Sequence, residues 1–306
     1  MPFSHNLAIF SLVLVTLIWG FEFVLVHNAI ETMEPHTFNT LRFGVGALFV
    51  LVYKKIYTGH FIGVVDRSIV IAASILGFML FVGFYTQTKG MLFTSVTNTG
   101  FITGLNVVLV PVLGTLFFKE KVSHLAWIGV MVALVGLVLM TGLLSLNLNK
   151  GDLLVLICAF AFALHINATG KVSNHFNVLD FSILQMLSVS VFSAVSAYFT
   201  EDWRAGLKPE LLLSADVYIG ILVAGILGTG FALIVQTWAQ KGISPTKIGL
   251  IYSIEPVAAG LSAWLMLNET MAVASLVGAA LILLGMIIAE LPHDFWLRRW
   301  IKGRIH

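Results

Sequence analysis

Four ionisable side chains, Glu22, Arg42, His165 and Glu255, fall inside apolar runs of this 306-residue chain. Each costs at least about 2.5–3.5 kcal/mol to place in a hydrocarbon layer, so each needs a partner, a cavity or a task. Glu22 and Arg42 each lie about six residues from the same end of the first and second runs, roughly 9 Å deep at 1.5 Å per residue. Adjacent antiparallel helices can then join them as a charge-assisted carboxylate–guanidinium pair. That pair is either a clamp between the two spans or a device in which Glu22 binds a cation or proton when substrate competes for it. Trp19 lies one turn before Glu22 on the same face, where its indole offers a wall or a cation–π surface. Glu255 sits mid-run in Ile254-Glu255-Pro256. The proline removes a backbone donor and clashes with the carbonyl of Tyr252, which predicts a kink and unsatisfied backbone groups. Glu255 then either meets solute at the break or hydrogen-bonds the freed backbone.

Other polar residues fall at helical spacing. Thr99, Thr103 and Asn106 recur at i, i+4, i+7, which predicts one polar helix face. His165 and Thr169 share a face, and the histidine is either a satisfied packing residue or a proton relay. Gln87, Gln236, Trp238 and Gln240 lie near run ends, where gates would close. Glu120 and Glu269 read as caps or turn ligands at span ends. Gly129, Gly136, Gly278 and Gly285 read as packing positions that let backbones approach closely.

These residues must be positioned by helices in lipid. Hydrophobic residues make up 58% of the chain and charged ones 10%, with a mean hydropathy of +0.98. A soluble domain carries about 25% charged residues, so the excess apolar surface needs a bilayer as solvent. A run of about 20 apolar residues crosses a core of roughly 30 Å. The sequence predicts ten such spans, near 7–28, 37–53, 69–90, 94–118, 124–142, 152–170, 179–199, 215–240, 246–267 and 272–290. The first run lacks a basic flank and a small-residue cleavage site, and reads as a retained span. Basic residues favour the cytoplasmic side. Lys54, Lys55, Arg67, Lys119, Lys121, Lys171 and Lys241 fall on alternate connections, and Arg298, Arg299, Lys302 and Arg304 on the tail, so both termini are expected inside.

The chain also repeats. A shift of 149 places Gln87-Thr88 on Gln236-Thr237, Ser95 on Ser244, Thr97 on Thr246, Gly100 on Gly249, Glu120 on Glu269, Gly129 on Gly278 and Gly136 on Gly285. The same shift places Thr99, Thr103 and Asn106 on Ile248, Tyr252 and Glu255, two faces expected to line one cavity. Five spans per half is an odd number, so the halves must cross in opposite senses. Inverted repeats mark carriers that rock around a mid-membrane site. The expected organisation is a first repeat at 1–145, a second at 150–290, and a basic cytoplasmic tail at 291–306.

Several residues also carry a likeness. The first span reads Trp19-Gly20-Phe21-Glu22-Phe23, followed by Pro35 and Arg42. The fourth runs from Thr97 to Pro111 and ends in Lys119-Glu120-Lys121. The ninth runs from Ser244 to Val257 and closes in Leu267-Asn268-Glu269. Over nearly its whole length the chain resembles the drug/metabolite transporter superfamily, in its ten-span branch with two EamA domains. The resemblance implies an all-α integral membrane carrier of ten helices in two inverted five-helix repeats, exporting amino acids or other small metabolites. Glu22, where relatives often carry Ser, Thr or Asn, and His27, where they often carry Lys, are departures from that pattern.

The expectation is therefore a secondary active exporter in a bacterial inner membrane, monomeric or homodimeric, working by alternating access. Its substrate-binding set is Trp19, Glu22, Thr99, Thr103, Asn106, His165, Tyr252 and Glu255. The alternative is a proton-coupled exporter of organic cations or drugs that uses Glu22. An intramembrane enzyme finds no nucleophile–base spacing and no evident use for the repeat; a channel or a non-transporting receptor is a further alternative. No cofactor, metal or nucleic-acid partner is expected. Neither HExxH nor a His/Cys cluster occurs, Cys158 is the single cysteine, and Gly228-Thr229-Gly230 is no dinucleotide fingerprint. Without a P-loop, the driving energy must come from a gradient.

Overall fold

The computed structural model describes residues 4–63, 65–141, 149–267 and 273–290. Among these residues the chain is all helix and turn, with no strand. The helices of the first half are α1 (His5–Ile30), α2 (Pro35–Thr58), α3 (Arg67–Gly90), α4 (Val96–Gly104), α5 (Asn106–Phe118) and α6 (His124–Thr141). The second half begins with α7 (Lys150–Val172) and α8 (Val178–Thr200). Two one-turn helices, α9 (Trp203–Gly206) and α10 (Pro209–Leu212), occupy the connection that follows. A rod of α11 (Ala215–Gly225), a π-helical segment (Ile226–Phe231) and α12 (Ala232–Ala239) comes next. The described residues close with α13 (Pro245–Tyr252), α14 (Glu255–Leu267) and α15 (Val273–Glu290). Counting α4–α5, α11–α12 and α13–α14 as continuous rods, seven helices among the described residues are long and apolar enough to cross a membrane.

Local chemistry sets the boundaries. Ser95 and Ser244, 149 residues apart, cap α4 and α13 by accepting from Asn98 N–H and Lys247 N–H. Asn149 and Asp152 form a reciprocal capping box at α7, and Asn177 accepts from Leu179 and Asp180 N–H at α8. Gly59 ends α2 at a φ of 78°, where only glycine is free of a Cβ penalty. Large apolar side chains stay exposed along the helices, among them Phe10, Leu48, Ile56, Leu116, Phe117 and Phe199. Helices with an apolar outside and polar groups inside suit lipid as the solvent.

The halves interleave. Helix α1 packs on α11, α12 and α14, while α7 packs on α3 and α5. Helix α2 lies along α8 and is tied at both ends. Glu201 accepts from the His36 and Thr37 amides at 2.7 and 2.8 Å, and Lys54 is paired with Asp180. Helices α6 and α15 pack against each other as an outer pair, with Gly129 against Gly285 and Gly136 against Gly278. A Cβ on Gly129, Gly136 or Gly285 would meet the opposite backbone, so glycine sets how closely the pair approaches. That register makes α6 and α15 antiparallel.

Candidate functional site

Two rods break in the middle. The first breaks at Leu105 between α4 and α5, the second at Ser253–Ile254 between α13 and α14. The second break has a cause in the sequence, because Pro256 cannot donate to the carbonyl of Tyr252. Each break leaves a polar residue at the start of the following half-helix, Asn106 in one and Glu255 in the other. Both are buried. The breaks pack crosswise, α4 on α14 and α5 on α13.

A cavity of about 50 Å³ opens beside them. Its polar lining is Glu22, Gln87, Asn106, His165, Thr229, Gln236 and Glu255, and its walls also include Trp19, Phe84, Phe162 and Tyr252. Six of the eight residues expected to bind substrate are therefore brought together: Trp19, Glu22, Asn106, His165, Tyr252 and Glu255. Thr99 and Thr103 are not. Thr99 donates to the Ser95 carbonyl one turn back at 2.9 Å, and Thr103 accepts from Gln87 Nε2 at 3.1 Å. The expected three-residue face fails because the helix stops at Gly104 and restarts at Asn106, which changes the register. Of the expected gate residues, Gln87 and Gln236 line this cavity, while Trp238 and Gln240 lie outside its lining. Gln240 instead donates to the Ile166 carbonyl.

Glu22 and Arg42 form the ion pair that their matched depths suggested, although α1 and α2 pack mainly on other helices. The bridging element is the π-helical segment. Arg42 Nε donates to Thr229 Oγ1 at 2.8 Å, and its guanidinium stacks 4.6 Å from the Phe84 ring centroid. The Trp19 indole N–H donates to the Gly228 carbonyl at 2.7 Å. A π-turn displaces backbone groups from their usual partners and recurs at functional sites. Gly228 has no room for a Cβ, because the Glu22 carboxylate fills that space. Sequence reasoning missed Thr229. Two glycines flanking a threonine in an apolar run were the available signal.

The cavity floor is a chain of amides. Tyr252 donates to Gln236 Oε1 at 3.2 Å, Gln236 Nε2 donates to His165 Nδ1 at 3.3 Å, and His165 Nε2 meets Gln185 Oε1 at 2.8 Å. With Nδ1 accepting and Nε2 donating, the ring is placed as a neutral tautomer. Two carboxylate groups stand apart from these networks. Glu22 Oε2 has no hydrogen-bond partner, and among the described residues Glu255 makes neither a hydrogen bond nor an ion pair. Arg42 does not reach the cavity wall, being enclosed behind Glu22.

Farther out, Glu120 accepts from the Thr246 amide at 3.3 Å and so caps α13 from the other half. Glu269 lies outside the described residues. The described residues contain no group of three His, Cys, Asp or Glu side chains placed to hold a metal.

Residues 6–142 and 149–290 each match the EamA-like transporter family. An uncharacterized transporter of Archaeoglobus fulgidus is 31% identical over 284 residues, covering 92% of this chain and 85% of the relative. The uncharacterized transporter YoaV of Bacillus subtilis is 25% identical over 290 residues, covering 91% and 94%. A solved crystal structure superposes with a TM-score of 0.73 at 17% identity, covering 94% of this chain and 96% of the other, a likeness of fold. With both halves matched and a relative this close along nearly the full length, the chain belongs to the EamA-like transporter family.

Proposed function

We propose that this protein is a secondary active transporter that exports amino acids or similar small metabolites by alternating access around the cavity between α1, α5, α7 and α14. The observation that carries the reading is a mostly apolar cavity, with a few buried polar side chains in its lining, whose walls come from both halves of the chain. A lone soluble-type pocket has no reason to sit between two crossed, broken helices. Discontinuous helices at the repeat interface are where carriers of this build bind their solutes.

The reading includes ten spans in two inverted repeats. It is supported by the antiparallel contact of α6 with α15, in which Gly129 meets Gly285 while its repeat partner Gly278 meets Gly136. An exchange of halves about a two-fold axis in the membrane plane maps that contact onto itself. The crossing of α4 with α14 and of α5 with α13 behaves the same way. Residues 1–145 would rock against 150–290, with both termini on the cytoplasmic side of a bacterial inner membrane. Glu22, Trp19, Asn106, His165, Tyr252 and Glu255 are the proposed solute contacts, with Gln87 and Gln236 as further polar groups in the lining.

Counterflow tests the carrier. Purified protein in ATP-free liposomes preloaded with a candidate metabolite should accumulate the labelled form transiently and saturably. If a broad panel of amino acids and amines gives no saturable flux, or if currents run at channel rates, the reading fails.

A further inference from the structure

At the end of α5, away from the cavity, two acceptor oxygens converge on one glycine. The chain turns back at Lys119, the single described residue other than glycine with a positive φ, at 53°. Left-handed backbone is disfavoured for a residue with a Cβ and marks a place where other contacts hold the chain. Glu120 N–H bonds the Gly114 carbonyl at 3.0 Å, which folds the Glu120 side chain back over α5. A Cβ built on Gly114 would lie 2.5 Å from Glu120 Oε2 and 2.6 Å from Asn167 Oδ1. The two oxygens therefore stand within about 5 Å of each other. Both are buried, and neither has a hydrogen-bond partner. The Asn167 amide cannot turn its nitrogen toward the carboxyl, because Nδ2 already donates to the Val110 and Ala163 carbonyls, each at 2.9 Å.

Two desolvated acceptors so close together are costly unless a hydrogen lies between them. The charged groups around Glu120 do not supply it. Lys119 and Lys121 on its own connection are exposed, as are His124 at the start of α6, Lys171 at the end of α7 and Lys247 on α13. The Thr246 amide of α13 is spent on the other carboxyl oxygen, Oε1. A proton on Oε2 does supply it, with the O–H donating to Asn167 Oδ1. Thr246 and Lys171 pull toward the ionised carboxyl, but burial outweighs them and favours the proton. We propose that Glu120 holds a proton shared with Asn167 Oδ1 beside Gly114, and that this hydrogen bond is a latch tying the end of α5 to α7 and α13, released when the proton leaves.

The latch stands at a seam between the two halves. Glu120 belongs to the first half of the chain, Asn167 and Thr246 to the second. Gly114 lies two turns beyond Asn106 along α5, and Thr246 nearly two turns before Tyr252 along α13. Between that level and the cavity, Val110, Leu113, Ile166, Ile248 and Ile251 pack into one apolar cluster. With the proton in place, α5 is held against α7 and α13, and this end of the cavity stays closed. Once ionised, Glu120 Oε2 repels Asn167 Oδ1 and the seam is free to part. The proton binds and leaves from the face that carries Lys119 and Lys121, so none needs to cross the bilayer here. The consequence for gating rests on the carrier reading, whereas the bond itself does not.

The test needs no solute. Spin labels at the exposed positions Phe117→Cys and Asn174→Cys, with Cys158→Ala, report the separation of the α5 and α7 ends by electron paramagnetic resonance in nanodiscs. Infrared difference spectra between the parent and Glu120→Gln report the protonated carboxyl. At pH 4 the parent's labels should sit close. By pH 8 most of the population should move to a longer separation as the carboxyl band disappears. Glu120→Gln should stay close at both, because its Nε2 donates to Asn167 Oδ1 as the protonated acid does. Gly114→Ala, whose methyl group crowds both oxygens, should sit apart at both. Labels that part with pH in Glu120→Gln as they do in the parent, or a parent without a carboxyl band that Glu120→Gln removes, overturn the shared proton. A band that titrates while the separation stays constant overturns the latch. Absence of saturable flux in the counterflow assay would sink the carrier reading and leave each of these results standing.

Discussion

Asn106 and Glu255 occupy the same place in the two halves, each opening the second segment of a broken helix, yet one is an amide and the other a carboxylate. The backbone device is duplicated while the charge is not. A second contrast lies beside the first. Glu22 carries its own counter-ion, held by Arg42, whereas Glu255 has none among the described residues. The duplicated part is thus the break with a buried polar side chain at the head of its second segment, and the unique part is the carboxylate.

The contrast between the two glutamates is broken most severely at Arg42. Replacing it by methionine, Arg42→Met, makes Glu22 as partnerless as Glu255, but in a place packed for a guanidinium. Removing one member of a buried pair costs about 3–5 kcal/mol. The expected result is a large loss of thermal stability in detergent, mostly recovered in Glu22→Gln/Arg42→Met. Next in size is Glu255→Asn, which makes the second break resemble the first. Solute exchange should fall at least 100-fold, about 2.7 kcal/mol in transition-state terms, while the unfolding temperature holds, because no partner is lost. Restoring a carboxylate on the opposite side, as Asn106→Asp/Glu255→Asn, should recover part of the exchange if the two breaks are functionally equivalent. No recovery would mean that the surroundings of Glu255, and not its charge alone, carry the site.

How far the sequence foretold this depends on which kind of constraint each residue obeys. The Glu22–Arg42 pair followed from counting depth along two runs, because a charge in lipid has few ways to be satisfied. The break at Glu255 followed from Pro256. The break at Leu105 had no such signal, since Pro111 lies inside α5 and the helix continues through it. That silence is why the Thr99–Thr103–Asn106 face was misjudged. Periodicity assumes one uninterrupted helix, and threonines can satisfy themselves on the preceding turn, as Thr99 does. The π-helical segment left only the Gly228-Thr229-Gly230 run as a trace, too little to give the role of Thr229. A π-turn depends on what packs against it, here Trp19 and Arg42, and such tertiary demands leave no spacing to read.

The centre of the molecule can also be set against its edge. The α6–α15 pair has glycines at its contact and lines no part of the cavity. Gly136→Leu should force the two backbones apart and cost about 1–3 kcal/mol, as overpacking does. Transport per folded molecule should stay unchanged. Flux that fell in proportion to stability would place the outer pair within the moving parts.

The smallest effect is expected at Glu120, the cap that joins the end of the first half to the start of α13. Burial holds its carboxyl above the ordinary value of 4.5, against the opposing pull of the Thr246 amide and Lys171. A carboxyl whose folded value is raised binds its proton more readily in the folded chain than in the unfolded one. Its contribution to stability is then fully present below about 4.5 and is lost as the pH rises through the folded value. Glu120→Gln keeps an oxygen to accept from Thr246 and removes the titration. Its melting temperature should match that of the parent at pH 4 and exceed it slightly at pH 8, with the two curves diverging between. The opposite divergence, with the variant weaker at high pH, would mean that the ionised carboxylate is the better cap and that its desolvation is repaid by the α13 amides.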